Sequence, residues 1–132
     1  MTSAAKRLGD AAEATVLGHL EAAGWAVLAT NVRVGRDELD LVAIDPGPPA
    51  ALVVVEVRWR GSREFGLPEE TFDHGKRRRT WRAVATLIDR GRLPDGRALP
   101  ALPVRVDLVV VEPPNAAGGP LRIRHHRAAL GR

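Results

Sequence analysis

The sequence contains no cysteine. That excludes disulfides and thiolate metal sites, and it fits a reducing compartment. Lysine is nearly absent too: of 20 basic residues only Lys6 and Lys76 are lysine, and the rest are arginine. No apolar run approaches the roughly 18 residues that a membrane-spanning helix needs. The opening stretch MTSAAKRLGDAAEATVLGHL breaks its apolar residues with acids and glycine, where a secretory signal needs an unbroken apolar core. There is no glycine-rich phosphate loop, no zinc-ligand spacing and no evident nucleophile–histidine–acid arrangement. A cytoplasmic protein without membrane attachment is expected.

What is present is an ordinary globular balance: 132 residues, 45% hydrophobic and 27% charged. That length suits one domain with one core, residues 1–132. The formal net charge is +4, a modest basic excess of the kind that accompanies phosphate polymers. Arginine suits bidentate phosphate contacts. A GC-rich coding sequence also favours arginine and accounts for much of the overall bias.

Periodicity orders the chain. Leu8, Ala12, Val16, His19 and Ala23 fall on one stripe at helical spacing, predicting a helix from Ser3 to Ala23 with Ser3 as cap and Gly24 as stop. Residues 25–34 read as a strand, followed by strands at 38–44 and 52–59 joined by the turn-forming DPGPPA. The segment 61–75 is polar and irregular. Asp73 is placed to cap a helix over 74–90 whose apolar side is Trp81, Val84, Ala85 and Ile88. After a long loop, 104–111 is a strong strand, and LRIRHH a short edge strand. The order αβββαββ defines an α/β or α+β domain, helices packed on a mixed sheet.

The acids of DELDLVAIDPGPPAALVVVEVRWR stand out against this frame. Strand side chains alternate faces, so Glu38, Asp40, Val42 and Ile44 share one face, as do Leu52, Val54, Glu56 and Arg58. A hairpin with a symmetric turn pairs residues whose numbers sum to 96. Asp40 then lies opposite Glu56, and Glu38 opposite Arg58. Like charges directly opposite on a sheet are destabilising. A divalent cation would relieve the repulsion, and magnesium needs only one or two carboxylates. Charged residues at strand ends also simply meet solvent, and a Glu38–Arg58 pair on the surface would contribute little.

The residues LGD at 8–10, HLEAAGW at 19–25, NVR at 31–33, DELDLV at 37–42, VVEVRWR at 54–60, FG at 65–66, Lys76 and VDLVVV at 106–111 carry a resemblance, in order, to the YraN family of small uncharacterised bacterial proteins. That family resembles restriction-endonuclease-like folds, including Holliday-junction resolvases, which use an Asp on one strand and a Glu-x-Lys on the next. The resemblance implies a restriction-endonuclease-like core. It makes Asp40 and Glu56 metal ligands, with the Val57 carbonyl a third, for magnesium or manganese. Glu38 becomes an auxiliary acid. Asp10 matches the acid of the family's first helix, although helical geometry places it far from the stripe through Leu8 and Ala12. A homodimer is possible on the same resemblance.

The motif lysine is Arg58 here. Arginine steers phosphate but cannot deprotonate, so it cannot serve as a base. Lys76 matches the family's helix lysine and is a candidate positive charge near the scissile phosphate; a solvated helix end is the alternative. Lys76, Arg77, Arg78 and Arg79, with Arg60, form the candidate nucleic-acid contacts. Arg77 points along the apolar side, so it must snorkel or reach toward another site. Trp81 reads as core. His125 and His126 point to opposite faces, and Asp107 requires a structural partner. Asn31 and Arg33 are expected to support nearby loops. Three functions follow: a magnesium-dependent nuclease acting on DNA, branched DNA by resemblance; a nucleic-acid binder that does not cut; or a protein-interaction module.

Overall fold

A computed structural model describes residues 3–60 and 74–131, with side chains over 9–60 and 75–131. Helix α1 (Ser3–Ala22) leads into strands β1 (Ala26–Val34), β2 (Asp37–Asp45) and β3 (Ala51–Trp59). Helix α2 (His74–Arg90) precedes β4 (Val104–Glu112) and β5 (Arg122–His126). The five strands form one sheet in chain order, antiparallel except for the parallel pair β3–β4. The protein is thus α+β, with a mixed sheet between two helices in the expected order αβββαββ. A parallel pair cannot be joined by a tight turn, and α2 supplies the crossover. No helix among the described residues is long and apolar enough to cross a membrane.

Two hydrophobic layers hold the helices on. On one face, Ala12, Val16 and Leu20 of α1 bury against Leu41, Ala43, Val53, Val55, Val109 and Val111. On the other, Ala83, Val84 and Leu87 of α2 bury against Val42, Leu52, Val54 and Val106. Odd-numbered positions of β2 and β3 thus serve α1 and even ones α2, the alternation a pleated strand imposes. Both faces are covered, so β3 reads as an unbroken apolar run until Glu56.

Helix α1 stops where glycine permits. Gly24 has φ +84°, the Trp25 N–H donates to the Leu20 carbonyl and the Gly24 N–H to that of Glu21. These two bonds define a Schellman cap. Ala23, expected on the buried stripe, is exposed beyond the helix end, and Leu20 takes the buried position.

The second helix differs from expectation in phase. Its buried side is Thr80, Ala83, Val84 and Leu87, while Ala85 is exposed and Ile88 is 37% exposed. Trp81 lies at the border, packed on the core with its indole N–H donated to the Leu130 carbonyl at 3.0 Å. The buried side is therefore turned toward the 80–83–87 row. Lys76, one turn before Thr80, is brought to the sheet side with it.

Candidate active site

The β2–β3 hairpin has the expected register: Leu41 pairs with Val55, Val42 with Val54 and Asp45 with Ala51. The next position along brings Asp40 to Glu56, on the α2 side. The Asp40 carboxylate Oδ2 accepts the backbone N–H of Val57 at 2.8 Å, which fixes its direction. Glu56 is only 6% exposed. Burial, then the charge of Asp40 and a hydrogen bond shared with it, push the Glu56 carboxyl up to about 8, while Arg58 pulls the other way. Two carboxyl groups that cannot both ionise cheaply hold a proton between them.

The pair opens into a cavity of about 340 Å³ between the hairpin and α2. Glu38, Val57, Arg58, Lys76 and Arg79 line it together with Asp40 and Glu56. Seven of the residues singled out in the sequence therefore converge. The turn of α2 about its axis explains why Lys76 and Arg79 are among them. Arg36, Asp37 and Thr80 complete the polar wall and carried no signal in a single sequence.

Other candidates lie elsewhere. Arg77 and Arg78 do not line the cavity: Arg77 is half-buried on the Trp81 side and Arg78 is exposed. Arg60 forms an ion pair at 3.0 Å with Glu112, itself 3% exposed and also bonded to Arg122 and Arg124. Arg60 is thereby held away from the cavity. Asp10 is exposed on α1, which covers the opposite face of the sheet. Glu38 does not pair with Arg58 across the hairpin. Its partner is Arg33 of β1 at 3.9 Å, both side chains well exposed. The reason is a break in alternation: Leu39 packs on the α2 side and Leu41 on the α1 side, so the strand cannot stay regular at Asp40. Asn31, opposite this break, has φ +50° and donates to Glu13 at 3.3 Å. Asp73 and the segment 61–73 lie outside the described residues.

A second acidic centre sits on the α1 face. Asp107 is 0% exposed. It accepts from Arg105 at 2.8 and 3.1 Å, from the Ala128 N–H at 2.9 Å, and bonds the His125 Nε2 at 2.8 Å. Burial alone would raise its pKa, but His125, Arg105 and Ala128 outweigh it and hold the carboxyl below the usual range. Asp45 shares Arg105 at 2.9 Å. The His125 Nδ1 lies 3.2 Å from the His19 Nε2, whose pKa is lowered by burial, then by His125 and Arg127. The sequence reading found a need for a partner at Asp107 but not this chain of contacts. His125 and His126 do point apart, as their adjacency requires.

Among the described residues, no group of three or more acids or histidines converges as a metal site. Asp40 and Glu56, two oxygen donors with the Val57 carbonyl beside them, match what magnesium asks of a protein rather than a closed zinc site. The observation that fits a cation there is the buried Glu56 carboxyl beside the Asp40 carboxylate at the cleft.

Fold and cleft together define a class: a small α+β domain in which, among the described residues, a carboxylate pair, Asp40 and Glu56, faces Lys76 and Arg79 of a helix across an open cleft. Within that class the chain belongs to the family described as Uncharacterised protein family UPF0102, the YraN family, whose model matches residues 12–111. The matched span takes in Asp40, Glu56, Arg58 and Lys76 and begins after Asp10. A UPF0102 protein of Symbiobacterium thermophilum is 38% identical over 90% of this chain and 92% of its own length. Those of Bacteroides thetaiotaomicron and Xylella fastidiosa are each 34% identical, over 93% and 95% of this chain and 91% and 93% of their own.

Proposed function

We infer that the protein is a metal-dependent nuclease acting on DNA. The observation that carries this reading is the buried Glu56 held against Asp40 at the floor of a cleft walled by Arg58, Lys76 and Arg79. Asp40, Glu56 and the Val57 carbonyl would hold a magnesium or manganese ion, which when bound neutralises the pair and lowers the pKa of a coordinated water. The Val57 N–H holds Asp40 in its orientation. Arg58 offers a planar fork to a phosphate, and the charges of Lys76 and Arg79 face the same cleft. Burial of Glu56 keeps the site at low dielectric, where each charge counts for more.

The test is cleavage of single-stranded, duplex and branched DNA in magnesium or manganese. Wild type is expected to cut at least one of them, and Asp40→Ala to lower the rate at least about a hundredfold. Failure of both wild type and Arg58→Lys to cut any of them would sink the enzyme reading.

Arg58 itself favours a second reading. A guanidinium cannot accept the proton of an attacking water, so the cleft would bind nucleic acid without cutting it. Salt-dependent binding that survives while no cleavage occurs in any metal would establish this alternative.

A further inference from the structure

The cleft does not end at the acid pair. A second hollow of about 320 Å³ continues from it along α2 and shares Arg36, Asp37 and Ala83 with the first. Its remaining wall is Val34, Gly35, Arg82 and Thr86. The two hollows differ in character. The first is lined mainly by charged side chains, while the second has small and apolar walls with charge at its rim.

The hollow exists because of how the turn is built. β1 and β2 are joined by two residues, Gly35 and Arg36, with Val34 paired to Asp37. Gly35 has φ +60° and no atom within 4 Å of where a Cβ would stand. Glycine at the first central position is the signature of a tight hairpin turn of the primed kind. The side chain of Arg36 is exposed. Asp37 bonds Arg82 at 3.5 Å and Glu38 bonds Arg33, so the acids beside Arg36 are already matched. Arg36 and Arg79 form no ion pair among the described residues, and both face the first hollow.

We propose that the second hollow takes the sugar and base of the nucleotide next to the phosphate that a cation at Asp40 and Glu56 would hold, with Arg36 also on that phosphate, so that the substrate is a DNA strand unpaired at that nucleotide. This rests on the reading of the cleft as a nucleic-acid site. The geometry sets the preference for an unpaired strand. A base inside a concavity cannot remain stacked in a duplex, and extracting it is unfavourable unless it is already unpaired. A charged groove followed by an apolar wall is the arrangement that tracks a single strand. Thr86 is the residue to probe. It is half-buried, its hydroxyl bonds only the Arg82 carbonyl of its own helix at 3.0 Å, and it lines the second hollow but not the first.

The experiment is fluorescence anisotropy in calcium with three labelled DNAs of one sequence: a single strand, a blunt duplex and a fork with unpaired arms. Wild type is expected to bind the strand and fork about tenfold more tightly than the duplex. Thr86→Phe, which fills the hollow, should remove about tenfold of affinity for strand and fork and leave the duplex unchanged. Thr86→Gln, which extends into the same hollow from a half-buried helix position, should do the same to a smaller degree, whereas Arg36→Ala removes a phosphate contact of the shared cleft and should weaken all three DNAs. Equal losses on all three DNAs, or no loss, in both Thr86 variants would overturn the second hollow while leaving the cleft's binding role intact. Wild type binding none of the three would overturn both.

Discussion

The sheet carries buried acids on both faces, and they are treated in opposite ways. On the α1 face Asp107 is surrounded by donors from Arg105, His125 and the Ala128 backbone, and its carboxyl is held ionised. On the α2 face Glu56 meets another carboxylate, and its pKa is driven to about 8. Burial acts the same way on both. What differs is whether the chain supplies the compensating charge. Where it does, the acid belongs to the architecture. Where it brings two acids together, Arg58 offsets only part of the cost and Glu56 keeps its proton.

The sharpest way to break this contrast is to remove Asp107. Asp107→Ala removes the buried acceptor of His125 and of the Ala128 N–H and leaves the Arg105 guanidinium with Asp45 alone. It should cost about 3–5 kcal/mol by urea denaturation, the usual penalty for breaking a buried pair from one side. A cost below about 1 kcal/mol would mean the network is not structural.

Glu56→Gln should have the opposite sign. Folded Glu56 keeps a proton that the unfolded chain releases above its ordinary value of 4.5. Its stabilising contribution is therefore full below pH 4.5 and is lost as pH rises toward 8 and through it, on the order of a few kcal/mol. Wild type without divalent ions should weaken over that window. Glu56→Gln should flatten the profile and be the more stable of the two above pH 8. Asp107 works in reverse: its contribution is present above pH 3.8 and fades as pH falls through its lowered folded value, which adds to acid denaturation. A wild-type profile flat from pH 5 to 8 would remove the strain attributed to the pair.

Magnesium at pH 8 should raise the melting temperature of wild type but not of Asp40→Asn. A concentration a hundredfold above the dissociation constant is worth about 2.7 kcal/mol. The smallest effect belongs to Glu38→Ala, whose partner Arg33 is 70% exposed. An exposed pair of this kind should shift stability by less than about 1 kcal/mol, and its loss should not change the pH profile.

Much of this arrangement was legible in the residues. Turn chemistry at DPGPPA bracketed the hairpin, and its symmetry set the register that joins Asp40 to Glu56. The phase of α2 was harder, because Trp81, Val84 and Ile88 offer as plausible an apolar row as Thr80, Ala83 and Leu87. Only the sheet decides between them, and with them whether Lys76 or Arg77 faces the acids. The pairing of Glu38 with Arg58 was misread, although Glu38 does line the cleft, because alternation holds only while a strand stays regular, and β2 does not at Leu39. The surroundings of Asp107 come from α1, β4, β5 and the turn after it. His19 and His125 stand 106 positions apart, beyond the reach of any local pattern.

The irregularity of β1 has a consequence for company. Its pairing with β2 slips between Val27 and Ala29, and its backbone turns left-handed at Asn31. Its outer row of amides and carbonyls is thus out of step with any straight strand laid against it. The opposite border, β5, spans five residues, two arginines and two histidines with a lone isoleucine. Short, bent or cationic borders resist the addition of further strands. Both borders described for this sheet are of that kind.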